Sequence, residues 1–464
     1  MKKLLFILLF CWPIIGFTQQ NWYKSSPSEY MWKYVGDTNF SAHEMSYVSL
    51  AFNPSDNMPY VAYTDYGFSN KLTVMKFDGT RWSIVGTAGF SADEANFISL
   101  VFNQSGEPFV AFSDGHNSGR TTVMKFNGTT WEYVGDPRFS PDVAYSTHLA
   151  ISQSGQPFVA FSDFACPPHK ASVMKFDGIN WVYVGNAGFS LGKANFTSLA
   201  FSQSGQPYVA YSDFANYERA TVMKFNGTDW VNVGNAGCSA SKVLYINLEF
   251  SPSDTLPYIA FTDFSNSNPF KTTAMKFDGT NWVIVGNAGF SPNGGYPTLA
   301  FSPTGQPYVA FGDDTINHKA TVMKFDGINW FFVGNAGFSG QGEVWQNSIA
   351  INALGEPYIA FVECDDNCVV SIMKYDSVSV GINELIQNRL KVYPTPSSGK
   401  ITVESSELQS QGQLTILNLG GQQLMQQEIT EPKTTIDVSH LTPGIYMVKM
   451  VGDKKVMMGK FVKH

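Results

Sequence analysis

The sequence predicts an all-β protein, a seven-bladed β-propeller closed by an N-terminal strand and followed by a small C-terminal β-sandwich. Three observations predict it. A unit of 48 to 52 residues recurs along the middle of the 464-residue chain, each unit holds four short strands, and the two ends of the repeat array are complementary. Repeat periods in this range are typical of propellers and solenoids. Aromatic and charged residues each make up 15% of the chain, which is typical of a folded protein rather than a disordered one.

Three separate sequence markers each occur seven times. The pattern Trp-x-x-Val-Gly begins at Trp32, Trp82, Trp131, Trp181, Trp230, Trp282 and Trp330. A block of proline followed by aromatic and β-branched residues begins at Pro59, Pro108, Pro157, Pro207, Pro257, Pro307 and Pro357. A Met-Lys-aromatic block begins at Met75, Met124, Met174, Met223, Met275, Met323 and Met373. Because the markers keep their order and spacing, they define seven equivalent units.

One unit shows how the four strands are predicted. Residues 198–201, 208–211, 221–225 and 230–234 are short runs of apolar, aromatic and β-branched residues, and Asn226-Gly227 is a strong hairpin signal between the last two. The unit is therefore a four-stranded antiparallel meander, as in a propeller blade. An alanine recurs at one place in every unit, where a small side chain would admit a large one from the next blade: Ala62, Ala111, Ala160, Ala210, Ala260, Ala310 and Ala360.

The ends of the repeat array predict that the ring closes. The first Trp block, at Trp32, has no strands of its own unit before it, and the last unit stops at Asp376 without a Trp block. The N-terminal strand can therefore complete the seventh blade and remove an exposed sheet edge. The alternative is an open solenoid, which would leave two apolar end faces that need caps.

The first residues predict export from the cytoplasm. Lys2 and Lys3 precede an apolar run over 4–10, and residues 1–18 have the form of a secretory signal peptide with cleavage after Thr18. The apolar run is too short to span a bilayer, and no later run of eighteen apolar residues follows, so no transmembrane segment is expected. The remaining units are predicted to be a propeller over 19–376, a linker over 377–389 and a C-terminal domain over 390–464.

Charge and motifs exclude several function classes. The formal net charge of −8 argues against nucleic acid as a partner. The chain carries no G-x-S-x-G, H-E-x-x-H or phosphate-binding glycine loop, so no catalytic residue is assigned. The histidines near the variable loops share no metal-ligand spacing and are interpreted as solvated loop residues: His43, His116, His148, His169 and His318. No metal site and no cofactor are assigned, apart from the calcium alternative considered next.

One acidic position recurs six residues after the repeated proline, and it has two interpretations. The carboxylate ring consists of Asp65, Asp114, Asp163, Asp213, Asp263, Asp313 and Glu363. Each carboxylate could accept backbone N–H groups of its own loop, as Asp does in turns. Alternatively, the ring could bind calcium or a ligand at the mouth of the channel, with further oxygen ligands from the loops. In the last unit, Cys364 and Cys368 are candidates for a disulfide that closes a small loop.

The C-terminal segment has a different composition and no propeller marker. It contains Val392-Tyr-Pro-Thr-Pro-Ser-Ser-Gly-Lys400, then Leu414-Thr-Ile-Leu-Asn-Leu-Gly-Gly421, then Ile436-Asp-Val-Ser-His-Leu-Thr-Pro-Gly-Ile-Tyr446. These motifs resemble the C-terminal sorting domain of type IX secretion cargo in Bacteroidetes, with Thr395 where that family usually has Asn. The resemblance implies that the type IX secretion machinery is a partner. It also implies that the protein, after periplasmic transit, is secreted or attached to the outer surface.

Three hypotheses about function remain open at this point. The primary one is a secreted or cell-surface module that binds a glycan or protein ligand through the variable loops of the propeller. The second is a polysaccharide-degrading enzyme, a glycoside hydrolase or lyase, suggested by the secretion route and the acidic residues on that face. The third is a structural surface protein with no small ligand.

Overall fold

The computed structural model describes residues 30–37, 45–115, 119–265, 270–364, 368–377, 390–404, 412–418, 423–451 and 456–464. The predicted signal peptide, its cleavage point after Thr18 and residues 378–389 of the predicted linker lie outside the described residues. The chain divides into two compact units, 1–376 and 377–464. Strands dominate both units, and the short helical turns described are three 3₁₀ helices over Tyr66–Phe68, Phe214–Asn216 and Asp314–Ile316.

The N-terminal unit contains seven four-stranded sheets, here called blades one to seven. Strand β1 spans Tyr30–Tyr34. Blade one comprises β2 (Met45–Phe52), β3 (Pro59–Asp65), β4 (Lys71–Phe77) and β5 (Trp82–Ile84). Blade two comprises β6 (Ala95–Phe102), β7 (Pro108–Asp114), β8 (Arg120–Phe126) and β9 (Trp131–Tyr133). Blade three comprises β10 (Ala144–Ile151), β11 (Pro157–Asp163), β12 (Lys170–Phe176) and β13 (Trp181–Tyr183). Blade four comprises β14 (Ala194–Phe201), β15 (Pro207–Asp213), β16 (Arg219–Phe225) and β17 (Trp230–Asn232). Blade five comprises β18 (Val243–Phe250), β19 (Pro257–Asp263), β20 (Lys271–Phe277) and β21 (Trp282–Ile284). Blade six comprises β22 (Gly294–Phe301), β23 (Pro307–Asp313), β24 (Lys319–Phe325) and β25 (Trp330–Phe332). Blade seven comprises β26 (Glu343–Ile351), β27 (Pro357–Cys364), β28 (Cys368–Ser377) and β1.

The ring closes through the N-terminal strand, as the sequence predicts. Strand β1 pairs with β28 and supplies the outermost strand of blade seven. The first strands of consecutive blades contact one another around the ring, and β2 of blade one also contacts β26 of blade seven. An open solenoid is therefore wrong, and the first strands form the wall of a central channel.

The tryptophan of each repeat joins its blade to the one before it. The indole Nε1–H of Trp82 donates to the carbonyl of Val35 at 2.7 Å, and that of Trp32 donates to Val333 at 2.6 Å. The same bond is made at the other five interfaces by Trp131, Trp181, Trp230, Trp282 and Trp330. A buried indole N–H needs an acceptor, so this column of the repeat is explained by packing between blades.

Burial of the second strands explains why they are apolar on both faces. Strand β11, for example, is buried along its whole length because blade three lies between two neighbouring blades. The repeated alanines of these strands are fully buried, and each interface holds a separate cluster of buried apolar side chains from two adjacent blades. The hydrophobic core of the ring is therefore divided among the seven interfaces between blades.

The C-terminal unit is a pair of antiparallel sheets. One contains β29 (Lys391–Tyr393), β30 (Lys400–Glu404) and β33 (Lys433–Asp437), and the other contains β31 (Gly412–Asn418), β32 (Gln423–Ile429), β34 (Gly444–Val451) and β35 (Val456–Lys463). Apolar side chains from both sheets form one core, including Ile401, Leu414 and Phe461. This arrangement is the predicted small β-sandwich.

Candidate functional site

The two ends of the propeller differ in the kind of connection that they carry. The turns from first to second strand and from third to fourth strand lie at one end, which we call the turn face. The loops from second to third strand and the connections between blades lie at the other end, the loop face.

Along the described chain, no helix is long and apolar enough to cross a membrane.

The carboxylate ring lies on the loop face, at the end of each second strand. The Asp65, Asp163 and Asp213 side chains each accept a hydrogen bond at 3.0 Å from the backbone N–H two residues later in the same loop. Asp263 and Asp313 make the same bond at 2.8 and 2.9 Å. These five carboxylates therefore organise their own loops.

The second oxygen of most ring carboxylates binds a hydroxyl of the third strand. The Thr122, Ser172 and Thr221 hydroxyls donate at 2.8 Å to Oδ2 of the aspartate in the same blade, and Thr273 does so at 2.7 Å. Within the part of the chain that the structure describes, no group of three or more His, Cys, Asp or Glu side chains is placed to hold a metal ion. The geometry of these bonds favours the loop-organising interpretation of the ring over the calcium interpretation.

Two members of the carboxylate ring differ from the rest. Asp313 is fully buried, and no described protein atom donates to its Oδ2. Burial raises the pKa of Asp313, while the bonds from Thr315 oppose that shift. In blade seven Glu363 takes the place of aspartate, and its Oε1 accepts from the Gly342 N–H at 3.0 Å. The Sγ atoms of Cys364 and Cys368 beside it lie 2.10 Å apart, at the distance of a disulfide bond.

The first strands carry a bulge that sequence reasoning missed. Predicted strand 198–201 begins four residues earlier, at Ala194, and pairs with β15 through a register shift between Asn195 and Ser198. The residue in the bulge has a left-handed backbone in six blades, with φ from 47° to 56°, at Tyr47, Phe97, Ser146, Phe196, Tyr245 and Tyr296. Gln346 holds the equivalent place in blade seven.

This backbone is unfavourable for residues other than glycine, so its repetition calls for an explanation. A left-handed non-glycine residue costs about 1 to 3 kcal/mol and persists only where the surroundings hold it. Contacts between blades provide that support. The Ser146 hydroxyl accepts from the Phe196 N–H at 3.2 Å, and the Asn347 amide donates to the Tyr296 carbonyl at 2.9 Å.

The bulge residues line a cavity of about 530 Å³ at the loop-face end of the channel. Five of the seven are aromatic and half-buried, and we call Tyr47, Phe97, Phe196, Tyr245 and Tyr296 the channel aromatics. Neighbouring rings touch, with centroids 5.2 Å apart for the first two, 4.7 Å for Phe196 and Tyr245, and 4.0 Å for Tyr245 and Tyr296. Burial raises the pKa of the Tyr47 and Tyr245 hydroxyls, which keeps both neutral.

Polar side chains lie between the aromatic rings. Thr197, Asn247 and Thr298 line the same cavity, as do Gln346 and Asn347 of blade seven. They offer hydroxyl and amide groups that both donate and accept hydrogen bonds. A cavity of this size with aromatic walls and a few polar groups has the composition of a small-molecule binding site.

The sequence carries an aromatic column at this place. When the first strands are aligned on their last residue, the position five residues earlier reads Tyr, Phe, Ser, Phe, Tyr, Tyr, Gln across the seven blades. An aromatic column that begins before the predicted strand has no packing role in the predicted meander. The position of this aromatic column outside the predicted strand is therefore the sequence signal for the channel site.

Two exposed aromatic side chains flank the cavity on the loop face. Trp345 is 44% exposed, and its ring stacks on His318 with centroids 5.1 Å apart. The His318 Nδ1 lies 2.6 Å from Asp314 Oδ1, which orients the imidazole. Tyr145 is 45% exposed and packs edge-on against Phe164 at 4.9 Å. Phe164 in turn stacks on His169 at 3.6 Å.

Comparison with known protein families identifies the C-terminal unit. Residues 391–464 match the family described as the secretion system C-terminal sorting domain. The protein is therefore exported through type IX secretion, to the cell surface or into the medium. No curated protein sequence matches this chain.

Solved structures share the fold at low sequence identity. An ulvan lyase, solved with a glucuronate–rhamnose-3-sulfate saccharide, has a TM-score of 0.51 and 12% identity over 76% of this chain and 99% of its own. A protein of unknown function from Dyadobacter fermentans has a TM-score of 0.45 and 12% identity over 75% and 98%. A lectin from Aleuria aurantia has a TM-score of 0.43 and 13% identity over 66% and 99%. At these identities the likeness shows the fold alone.

Proposed function

We propose that this exported propeller is a saccharide-binding module whose ligand enters the channel from the loop face. The observation that carries the proposal is the set of five channel aromatics around a cavity of about 530 Å³. Sugar rings present flat C–H faces that pack on aromatic rings, and their hydroxyls need partners that donate and accept. The channel offers both, because Thr197, Asn247 and Gln346 lie between the rings.

The strain in the first strands supports the same site. Six residues share an unfavourable backbone conformation at one level of the channel. Such strain concentrates where a structure positions groups for binding. In addition, the solved ulvan lyase has a saccharide bound, so a propeller of this general fold accommodates such a ligand.

The test is native gel electrophoresis of the purified full chain in gels that contain laminarin, xylan, polygalacturonate or chondroitin sulfate. We expect at least one polysaccharide to retard the protein. The double substitution Tyr245→Ala and Tyr296→Ala should weaken retention about tenfold or more, since each lost aromatic contact is worth about 0.5 to 1.5 kcal/mol. Tyr133→Ala is the matched control, because Tyr133 is an exposed tyrosine on an outermost strand.

Two results would overturn the proposal. If none of the four polysaccharides retards the protein, the proposal of a saccharide ligand is wrong. Release of new reducing ends or unsaturated products from a retained polysaccharide would instead identify a glycoside hydrolase or lyase. Retention without turnover, lost in the channel variant and kept in the control, supports a binding module.

A further inference from the structure

We infer that the ligand is a linear saccharide chain that lies across the loop face, with outer binding positions at Tyr145 and Trp345 on opposite sides of the channel. This inference rests on the proposed function and specifies the shape of the ligand. Tyr145 belongs to blade three and Trp345 to blade seven. Three blades separate them in one direction around the ring and two in the other, so the channel lies between them.

The two outer positions have the same place in their strands and differ in the rings that support them. Each exposed aromatic directly precedes a residue that lines the cavity, Ser146 in one case and Gln346 in the other. Trp345 of blade seven stacks directly on His318 of blade six, whereas Tyr145 packs against Phe164 of its own blade, which in turn stacks on His169. Two exposed aromatic platforms thus stand beside the cavity, each supported by an aromatic or imidazole ring from a loop between second and third strands.

Packing within the propeller does not account for the exposed rings. Ser46, Asn96, Asn195, Leu244 and Gly295 hold the same place in the other five blades, so the fold accepts small, polar or apolar side chains there. An exposed tryptophan leaves a large apolar surface in water, at a cost of about 25 cal/mol for each Å². A large exposed aromatic that the fold does not need is typical of a binding surface.

The platforms are oriented before a ligand arrives. The Asp314–His318 contact at 2.6 Å fixes the imidazole on which Trp345 stacks. Phe164 holds Tyr145 on one side, and the channel ring of Phe97 lies 5.6 Å away on the other. Side chains that are already held in place lose less conformational entropy on binding.

Continuity with the channel favours a chain over two separate ligands. Tyr145 contacts Phe97, which contacts Tyr47, so aromatic rings run from the first platform into the cavity. On the other side Trp345 directly precedes Gln346 in the sequence, and Gln346 lines the cavity together with Tyr296 of blade six. A linear saccharide can stack successive rings along this line, which a single sugar unit cannot do.

The test measures affinity against chain length for the full-length protein. The probe is the polysaccharide retained most strongly among laminarin, xylan, polygalacturonate and chondroitin sulfate, together with size-fractionated oligosaccharides made from it. We expect affinity to rise with length and then to level off. Trp345→Ala and Tyr145→Ala should each lower affinity for the longest chains about two- to tenfold and leave disaccharide affinity unchanged.

Further variants separate the possible results. Trp345→Phe should keep most of the long-chain affinity, and Tyr245→Ala should lower affinity for long and short ligands alike. If the platform variants bind long chains as tightly as the unaltered protein, the chain model is wrong while the saccharide function stands. If no polysaccharide is retained, both proposals fail. Retention by poly-L-proline that depends on Tyr145 and Trp345 would also overturn the inference, because it would identify an extended peptide as the ligand.

Discussion

Replacement of His148 by serine should remove one specific source of acid sensitivity from the propeller. The His148 Nδ1 accepts a hydrogen bond at 3.2 Å from the Leu199 N–H of the next blade. In other blades a serine makes this bond, as Ser99 does to the Leu149 N–H at 3.1 Å and Ser198 does to the Leu248 N–H at 3.0 Å. Serine at position 148 can therefore serve as the acceptor without a titratable ring.

The magnitude follows from the pKa of the buried imidazole. Burial lowers the pKa of His148 from 6.5 to about 4. The unfolded chain therefore binds a proton more readily than the folded one between these values. The stabilising effect of the neutral imidazole is fully present above about pH 6.5 and is lost as the pH falls towards 4. With about 1.4 kcal/mol for each pKa unit, the loss is about 2 kcal/mol near pH 5 and approaches about 3 kcal/mol at lower pH.

The assay is urea unfolding of the full-length protein followed by tryptophan fluorescence, near pH 7.5 and near pH 5. We expect the free energy of unfolding to fall by about 2 kcal/mol less in His148→Ser than in the unaltered protein over this range. Any packing that the substitution removes lowers the free energy of unfolding equally at both pH values. That loss cancels, because the two proteins are compared only in how their free energy of unfolding changes between the two pH values. Substitution by serine of the exposed His440, which lies in the C-terminal unit, is the control. Parallel losses in the unaltered protein and in His148→Ser would refute the reasoning.

Four further predictions test the ring and its carboxylates. Burial raises the pKa of Glu249 to about 7, so keeping its carboxylate ionised in the folded protein is unfavourable at pH 8 and much less so at pH 5. Glu249→Ala removes this group and should therefore raise the urea midpoint of unfolding more near pH 8 than near pH 5. Asp213→Asn should lower the free energy of unfolding by about 1 to 3 kcal/mol, because the Asn216 and Thr221 side chains lose their acceptor at Oδ2. Asp313→Asn should lower it by less than half as much, since no described atom donates to the Asp313 Oδ2. Equal losses in the two variants would contradict this reasoning. If the N-terminal strand is docked in solution, Trp32→Phe and Trp181→Phe should each lower the free energy of unfolding by about 1 kcal/mol, because each loses the same indole hydrogen bond. A Trp32→Phe variant as stable as the unaltered protein would argue against the closed ring. Calcium or EDTA should leave the melting temperature unchanged, and a shift of several degrees on calcium addition would restore the calcium interpretation of the carboxylate ring.

Repetition explains which parts of the fold could be predicted from the sequence. The tryptophan and alanine columns recur because every interface between blades imposes the same contacts, as the Trp82 to Val35 bond shows. Those columns were sufficient to predict seven blades and closure by the N-terminal strand. The sorting domain was likewise predicted from continuous motifs over 390–464, and the family match covers 391–464.

The first strands were harder to predict because their bulge breaks the strand pattern. The expected strand in blade four covers 198–201, whereas β14 begins at Ala194, before the bulge at Phe196. For the same reason, the interpretation of His148 as a solvated loop residue is wrong. It lies within β10, in the wall of the channel. Left-handed backbone at Phe196 depends on contacts with blade three, and propensity within one segment does not encode it.

Two departures from repeat symmetry at the rim of the channel support the proposed ligand site. At the rim of the channel, the exposed residues Tyr145 and Trp345 lie next to the two cavity positions, Ser146 and Gln346, that lack an aromatic ring. In both blades an aromatic residue stands one position before the bulge, at the rim of the channel. The linear ligand that we propose would leave the ring of channel aromatics through two openings and meet a flat aromatic surface at each.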